Sequence, residues 1–274
     1  MNEQADITAA WLVTQFPDLT NIQPLSQGGQ KQVFSATHAK DGDIVLKLMH
    51  PNQDIERTTR EVIAATETQA ARVPKILEQG TLQTPVGQCF WFREQLIRGE
   101  TVRERLSHGP FDTASLLRVG LHLLETLTAA EKVRIVHRDV KPENIMCDPS
   151  DAFWLIDFGL ARHLGLESLT ATAHVFGNAT WGYAPPEQCR NIKKEIDARA
   201  DLFALGVTLH ECASGVNPFR ENASSVLEIL KRVETLQLPR LTLCFNKAKD
   251  FSDFVMTPTQ KRRDHQPASA ETAL

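Results

Sequence analysis

Short runs rich in β-branched and aromatic residues mark the first third of the chain. They are QVFSATH, DIVLKLMH, PKILEQGTL and QCFWFREQLI, and a Thr-Pro-Val-Gly turn separates the last two. Such runs, bounded by turn residues, predict strands of an antiparallel sheet. Residues 54–72 interrupt them with many helix formers and few breakers behind an Asp N-cap at Asp54, which predicts one helix packed on the sheet.

The pattern becomes helical from Asp112 onward. In DTASLLRVGLHLLETLTAAEKV an Asp N-cap precedes leucines that recur at helical spacing, namely Leu116, Leu117, Leu121, Leu123, Leu124 and Leu127. The run ADLFALGVTLHECASG is apolar enough for a buried helix, and SSVLEILKRVETL is amphipathic. The second part of the chain is therefore predicted to be mainly helical.

These elements predict an α+β fold with two lobes. A small antiparallel β-sheet lobe with one helix occupies residues 1–97, of which residues 1–24 form an N-terminal extension. A larger, mainly α-helical lobe occupies residues 98–274, after a glycine at the join. A cleft between two such lobes is where a ligand would normally bind.

Composition narrows the functional classes. The 274 residues are 42% hydrophobic, which is enough for one or two sizeable cores. A net charge of -4 and a pI near 6.1 show no basic excess, so neither nucleic acid nor membrane is expected as a partner. The chain has no apolar run long enough to span a bilayer and no secretory leader pattern, which predicts a cytoplasmic protein. Its widely spaced cysteines, without a CxxC pair, are predicted to be buried free thiols.

A polar cluster in IVHRDVKPENIMC follows the leucine-rich helix. Asp139 supplies a proton acceptor, Lys141 a fixed cation and Asn144 an amide oxygen that can ligate a hard metal. This set suits phosphoryl transfer, which needs an oriented nucleophile, neutralised phosphate oxygens and Mg²⁺ held by oxygen ligands. A second acidic ligand is expected nearby, and WLIDFGLAR provides it as Asp157, after an apolar strand at residues 153–156.

The segments HRDVKPEN, IDFG, GYAPPEQ and DLFALGVTLHE follow one another in this order. Together they resemble the eukaryotic-type (Hanks-type) serine/threonine protein kinase domain, in its bacterial branch, from about residue 25 to residue 274. The resemblance implies the protein kinase-like fold, with ATP and Mg²⁺ as cofactors. Lys141 lies two residues after the catalytic Asp139, and a lysine at this position resembles the pattern of the serine/threonine-specific members of the family.

The resemblance also implies roles for single residues. Asp139 would accept or orient the proton of the substrate hydroxyl, and Lys141 would steady the γ-phosphate. Asn144 and Asp157 would hold Mg²⁺. Met146 would lie beneath the adenine.

In the first lobe, Lys47 lies in mid-strand among apolar residues, where a charge is costly unless it is paired. By the resemblance it would reach the α- and β-phosphates of ATP while Glu61 holds it in place. Glu56 and Glu67 are alternative partners. A hinge at residues 94–97 would offer backbone groups to the adenine.

The loop that would cover the phosphates departs from the family pattern. Where the family has G-x-G-x-x-G-x-V, this chain has Ser26, Gly28 and Lys31 ahead of Val33, with Gly29 as an added glycine. Gly28 and Gly29 still permit a close backbone approach to phosphate. Ser26, Gly28, Gly29 and Val33 are therefore assigned to nucleotide binding.

A second departure concerns Glu187 of GYAPPEQ. It resembles the family residue that pairs with a buried arginine close before the end of the domain, where this chain has Gln266 ahead of a proline. Arg262 or Arg263 could substitute for that arginine, or Gln266 could give a neutral and weaker hydrogen bond.

The segment between Asp157 and Glu187 carries several side-chain hydroxyl groups. In the family, an arginine at the position of Arg138 typically receives a phosphate from this segment. Ser168, Thr170 and Thr172 are accordingly either autophosphorylation sites or ordinary solvated hydroxyls.

Two positions match family residues that support the catalytic loop. Thr180 is similar to the threonine that contacts the catalytic Asp and Lys in serine/threonine kinases, and Asp201 to the aspartate that braces the backbone of the catalytic loop. The sequence thus predicts an ATP- and Mg²⁺-dependent protein serine/threonine kinase that also phosphorylates its own activation segment. Whether a separate regulatory protein or the N-terminal extension, residues 1–24, controls it is left open by the sequence.

Two other functions fit the same fold. A small-molecule kinase shares the catalytic Asp and Asn but generally lacks a segment similar to GYAPPEQ. A pseudokinase scaffold usually lacks the lysine or a metal-binding aspartate, and both kinds of residue are present here.

Overall fold

The computed structural model describes residues 7–27, 31–49, 70–85, 87–158, 162–163, 180–192, 194–242, 248–260 and 265–273. These residues form two compact units, one within Met1–Thr66 and Pro74–Ile97 and the other within Glu67–Val73 and Arg98–Leu274. Several positions named above lie outside the described residues: Gly28, Gly29, Glu56, Glu61, Glu67, Ser168, Thr170, Thr172, Arg262 and Arg263.

The first unit is an antiparallel sheet with the strand order β1-β2-β3-β5-β4. Its described elements are α1 (Ala9–Gln15), β1 (Leu19–Gln27), β2 (Lys31–His38), β3 (Gly42–Met49), β4 (Ile76–Thr84) and β5 (Gly87–Gln95). The four runs in the first third of the chain that predict strands correspond to β2, β3, β4 and β5 of this sheet. Residues 70–72, at the end of the predicted helix, are not helical, and residues 54–69 lie outside the described part.

Helix α1 is part of the core of this unit. It begins behind Thr8, whose hydroxyl oxygen accepts the backbone N–H of Trp11 at 3.2 Å as an N-cap does. Leu12 and Phe16 are buried in one cluster with residues of β1, β2 and β3. The prediction that residues 1–24 are an extension ahead of the sheet is corrected, because β1 already begins at Leu19 and α1 covers an apolar face of the sheet.

The second unit is mainly helical. Its described helices are α2 (Val102–Leu106), α3 (Thr113–Lys132), α4 (Pro186–Cys189), α5 (Ala198–Ser214), α6 (Val226–Thr235), α7 (Ala248–Met256) and α8 (Ala270–Ala273), with short 3-10 turns at Pro142–Asn144 and Thr257–Thr259. Its short strands are β6 (Glu100–Thr101), β7 (Ile135–Val136), β8 (Ile145–Cys147), β9 (Phe153–Leu155) and β10 (Arg162–His163). Strands β6, β8 and β9 form one small sheet, and β7 pairs with β10.

The two long helices, α3 and α5, pack against each other. Asp112 caps α3 as predicted, since its carboxylate accepts the backbone N–H of Ser115 at 2.8 Å. Not all the leucines that recur at helical spacing are buried, since Leu117 and Leu121 are 44% and 49% exposed. Helix α5 is buried on nearly all sides, which explains its continuous apolar sequence.

A glycine is required where the second unit begins. Gly99 has a φ of +137°, and a Cβ atom there would lie 1.9 Å from the carbonyl oxygen of Cys147. The described cysteines, Cys89, Cys147, Cys189 and Cys212, are free and buried, as predicted. Among the described helices, none combines the length and the apolar character needed to cross a bilayer.

Candidate active site

The polar cluster predicted from the sequence lies in a loop fixed by apolar anchors. Strand β7 before the loop and strand β8 after it are short, and each carries fully buried residues. Val140 in the middle of the loop is also fully buried. Because alternate side chains are anchored in the core, Asp139 and Lys141 are directed to the other side of the backbone and remain partly exposed.

Asp139, Lys141, Asn144 and Thr180 form one hydrogen-bonded group. The amide nitrogen of Asn144 donates to the carboxylate oxygen Oδ2 of Asp139 at 2.8 Å, and the ammonium nitrogen of Lys141 lies 2.7 Å from the same oxygen. The hydroxyl of Thr180 donates to Oδ1 of Asp139 at 2.7 Å and accepts a hydrogen bond from Lys141 at 2.8 Å. The contacts predicted for Thr180 are therefore confirmed, and they join two segments that are distant in sequence.

The backbone of this loop is held by Asp201 of α5. Its carboxylate accepts the backbone N–H groups of His137 and Arg138, both at 2.7 Å. Burial raises the pKa of the Asp201 carboxyl above its usual value, while the two N–H donors and Arg138 oppose that shift. Arg138 has a φ of +68°, a left-handed conformation that L-residues adopt at a cost. The predicted bracing role of Asp201 is confirmed, and it holds a strained residue directly before Asp139.

His137 connects the loop to the strand that carries Asp157. The backbone N–H of Asp139 donates to Nδ1 of His137 at 3.2 Å, so Nδ1 is an acceptor and Nε2 carries the proton. Nε2 lies 3.0 Å from the carbonyl oxygen of Ile156, to which it therefore donates. The His137 ring also meets the Phe158 ring edge to face, with centroids 4.5 Å apart.

Asn144 and Asp157 are the residues that could hold a divalent cation. The backbone N–H of Ile156 donates to the carbonyl oxygen of Asn144 at 2.9 Å, which brings the end of β9 beside Asn144. The side-chain nitrogen of Asn144 faces Asp139, so nitrogen and not oxygen makes this contact. The side-chain oxygen, which is the atom suited to Mg²⁺, is therefore not used by Asp139. An amide oxygen and a carboxylate on adjacent segments fit a hard cation that takes its remaining ligands from phosphate and water.

The segment GYAPPEQ is tied to the loop and to α5. Gln188 donates to the carbonyl oxygen of Arg138 at 2.6 Å, and the Tyr183 hydroxyl donates to the Glu211 carboxylate at 2.5 Å. Arg103 of α2 donates to both groups, at 2.6 Å to Tyr183 and 2.8 Å to Glu211. Burial, followed by the Glu211 charge, raises the pKa of Tyr183, so its hydroxyl stays protonated near neutral pH.

A cavity of about 340 Å³ adjoins this network. Glu143 and Glu211 line it, together with Arg103, Asn217 and Arg220. Arg103 also donates to Glu143 at 2.8 Å, so one guanidinium bridges both carboxylates. The sequence did not reveal Arg103 as a member of this network, because only the fold brings α2 to α5.

In the first unit, strand register aligns three of the residues assigned to nucleotide binding. Ser26 of β1 stands opposite Val33 of β2, and Val33 stands opposite Lys47 of β3. Lys47 is buried, and its ammonium nitrogen lies 2.6 Å from a carboxylate oxygen of Glu94. The prediction that Lys47 must be paired is confirmed, but its described partner comes from the segment assigned to the hinge.

Two other assignments have different outcomes. Met146 lies half-buried in β8, and its place beneath adenine stays a prediction. The alternative in which Gln266 hydrogen-bonds Glu187 is wrong: the Gln266 amide donates to the backbone carbonyl of Gln260 at 2.7 Å. Glu187 is buried and does have an interaction partner.

Comparison with known proteins agrees with this geometry. The family model described as the protein kinase domain matches residues 19–270. Over 210 residues the chain is 33% identical to the serine/threonine-protein kinase PknH of Mycobacterium tuberculosis, covering 74% of this chain and 32% of that protein. It is 32% identical over 217 residues to PknD of the same species, covering 77% of this chain and 32% of the relative.

A relative from another genus matches more of the chain. The probable serine/threonine-protein kinase pknA2 of Bifidobacterium longum is 26% identical over 262 residues, which cover 92% of this chain and 33% of that protein. The chain thus spans about a third of the length of these curated relatives. With an antiparallel sheet unit, a mainly helical unit and the matched motifs, the chain belongs to the protein kinase domain family, in its bacterial eukaryotic-type branch.

Proposed function

We propose that this chain is an ATP- and Mg²⁺-dependent protein kinase that transfers the γ-phosphoryl group of ATP to serine and threonine hydroxyls. The observation that carries the proposal is the bridge made by Thr180, which donates to Asp139 at 2.7 Å and accepts from Lys141 at 2.8 Å. The bridge supports the proposal, because in it the Asp139 carboxylate accepts an O–H group beside the ammonium of Lys141. An acceptor hydroxyl in phosphoryl transfer needs the same surroundings.

Asp139 is proposed as the group that receives the proton. Among the described residues, its Oδ2 accepts from Asn144 and Lys141, while Oδ1 accepts from Thr180 alone. A carboxylate oxygen has two acceptor directions, so Oδ1 retains one for a substrate hydroxyl. The hydroxyl oxygen would form the new bond to the γ-phosphorus, the bond from that phosphorus to the β–γ bridging oxygen would break, and Asp139 would take the proton as ADP leaves.

Lys141 is proposed to steady the transferred group. Its ammonium nitrogen is held by Asp139 and Thr180 at 2.7 and 2.8 Å, so its position is fixed before any substrate binds. A preorganised cation favours the charge that develops in the transition state at little reorganisation cost. Asn144 and Asp157 are proposed to hold Mg²⁺, which when bound neutralises phosphate charge.

Nucleotide binding is proposed for a second set of residues. Lys47 would contact the α- and β-phosphates, Glu61 would help to place it, and Met146 would lie under the adenine. The loop from the end of β1 to β2 would cover the phosphates through Ser26, Gly28, Gly29 and Val33. The register that aligns Ser26, Val33 and Lys47 across three strands supports this part of the proposal.

A protein is proposed as the phosphoryl acceptor. The segment GYAPPEQ is anchored at Tyr183 and Gln188, which gives a polypeptide substrate a rigid surface close to Asp139. Autophosphorylation at Ser168, Thr170 or Thr172, control by a separate regulatory protein and a cytoplasmic location belong to the same proposal. Nucleic acid and membrane are not expected as partners, since the net charge is -4.

The test is transfer of radiolabelled phosphate from ATP to the chain itself and to a generic basic protein. We expect label with Mg²⁺, loss of label when a chelator removes the metal, and loss of label in Asp139→Ala. The matched control is Asp151→Ala, an exposed aspartate of the β8–β9 turn, which should leave transfer intact. Nucleotide binding without transfer would indicate a pseudokinase, and label on small hydroxyl compounds instead of protein would indicate a small-molecule kinase.

A further inference from the structure

Lys47 and Glu94 are neighbours across two adjacent antiparallel strands. In the register of β3 and β5, Lys47 stands opposite Phe92 and Val45 stands opposite Glu94. Because side chains alternate along a strand, Lys47 and Glu94 lie on the same face of the sheet as diagonal neighbours. Long side chains reach across such a diagonal, and the Lys47 ammonium nitrogen lies 2.6 Å from the Glu94 carboxylate.

This ion pair is buried in an apolar environment. The side chains of Lys47 and Glu94 are only 5% and 9% exposed. Met49, Phe90 and Phe92 form the buried cluster on this side of the sheet, and the Lys47 nitrogen lies 5.5 Å from the centre of the Phe92 ring. Since a buried ion pair often contributes no more to stability than well-packed apolar residues, stability alone is a weak reason for placing two charges here.

Glu94 is also firmly placed. Strand β5 has a hydrogen-bonded neighbour on each side, with Glu94 opposite Val45 of β3 and opposite Ile76 of β4. The carboxylate is therefore attached to a strand in the interior of the sheet. Any group bonded to this carboxylate acquires a fixed position relative to β3 and β5.

We propose that Glu94 is a positioning residue for Lys47, so that strand β5 itself sets where the phosphate-binding ammonium stands. An ammonium has three N–H donors, so a bond to Glu94 is compatible with further bonds to a phosphate oxygen and to the carboxylate expected from Glu61. The inference rests on the proposed function, since it assumes that Lys47 meets the phosphates of ATP. It adds that nucleotide affinity depends on a carboxylate of the sheet as well as on Glu61.

A purely structural role for Glu94 makes a different prediction. If Glu94 merely neutralises a buried lysine, its loss lowers the melting temperature and leaves nucleotide affinity unchanged in the folded fraction. If it positions Lys47, its loss weakens nucleotide binding, and the Michaelis constant for ATP rises more than kcat falls. The two roles are therefore distinguished by whether nucleotide affinity changes or only the melting temperature does.

The experiment compares Glu94→Gln with wild type and with Glu78→Gln. Glu78 is a matched control, because it lies in the neighbouring strand β4, pairs with Arg93 and is half exposed. Binding of ATP with Mg²⁺ is measured by isothermal titration calorimetry, and the Michaelis constant and kcat by label transfer. Loss of one charge-assisted contact predicts a rise of about tenfold in Kd and in the Michaelis constant for Glu94→Gln, against no change for Glu78→Gln.

Equal affinities of Glu94→Gln and Glu78→Gln for ATP would overturn the proposal. If Glu94→Gln does not fold, Glu94→Asp replaces it: the charge remains, but the carboxylate withdraws by one methylene, and a several-fold rise in Kd is still expected. An unchanged Kd for Glu94→Asp would then overturn it. Because calorimetry needs no phosphoryl transfer, a chain that binds ATP without transferring phosphate refutes the proposed function and still tests Glu94.

Discussion

The substitution Asp201→Asn tests whether α5 holds the catalytic loop in its shape. Asp201 accepts two backbone N–H groups, from His137 and Arg138, each at 2.7 Å. An asparagine offers one oxygen, so one N–H keeps an acceptor and the other faces the NH₂ group of the new side chain. Arg138, with its φ of +68°, then loses part of what holds it in the left-handed region.

The magnitude follows from the bonds. A hydrogen bond to a charged group contributes about 1.5–3 kcal/mol, and a buried N–H left without an acceptor costs about 1–3 kcal/mol more. The free energy of unfolding should therefore fall by roughly 2.5–6 kcal/mol, a large part of the roughly 5–15 kcal/mol typical of a folded domain. In a chain of this size, that loss lowers the melting temperature by about 5–24 °C.

The assay measures the melting temperature and kcat together, with Asp197→Asn as the control. Asp197 caps the same helix, and its carboxylate accepts the backbone N–H of Arg199 at 3.0 Å. Asparagine is an equally good N-cap, so Asp197→Asn should change stability by less than about 0.5 kcal/mol. Equal melting temperatures for the two variants, with kcat unchanged in Asp201→Asn, would refute the bracing role.

Three further substitutions test other parts of the account. Thr180→Val removes the hydroxyl bonded to Asp139 and should lower kcat by about ten- to a hundredfold, whereas Thr180→Ser should stay close to wild type in steady-state assays. Leu12→Ala, in the fully buried centre of α1, should cost about 2–5 kcal/mol in urea unfolding. Gly99→Ala should cost at least about 2 kcal/mol in the same assay, because its Cβ would collide with the carbonyl oxygen of Cys147.

Each of these predictions has an opposing result. A Thr180→Val enzyme with wild-type kcat would show that the bridge plays no part in catalysis. If Leu12→Ala leaves the free energy of urea unfolding unchanged, α1 contributes nothing to the core of the first unit. Wild-type stability of Gly99→Ala would show that the backbone at this position is not constrained as described.

The sequence predicts what depends on short, ordered motifs. Asp139, Lys141 and Asn144 lie within a single loop, so their proximity follows from spacing alone. The contact of Thr180 with Asp139 and the bracing by Asp201 join distant segments, and only the family resemblance made them predictable. The structure confirms these contacts. They form because β7, β8 and α5 place the segments side by side.

Features set by register and tertiary packing could not be predicted in this way. The pairing of Lys47 with Glu94 depends on how β5 aligns with β3, and a shift of one residue would turn Glu94 to the other face. Leu117 and Leu121 match the helical spacing, yet they are half exposed, because the buried stripe of α3 is narrower than its run of leucines. The sequence did carry one signal for Glu94: a charged residue at the end of the apolar strand QCFWFRE is costly to bury unless it has a partner.

The most direct test of the central claim is the identity of the phosphorylated amino acid and its dependence on Asp139. Purified wild type, Asp139→Asn and Asp151→Asn are incubated with labelled ATP, Mg²⁺ and a basic protein, and the hydrolysed products are separated as phosphoamino acids. The account predicts phosphoserine or phosphothreonine in wild type and Asp151→Asn, and none in Asp139→Asn. Phosphotyrosine as the product, or undiminished phosphoserine and phosphothreonine in Asp139→Asn, would contradict it.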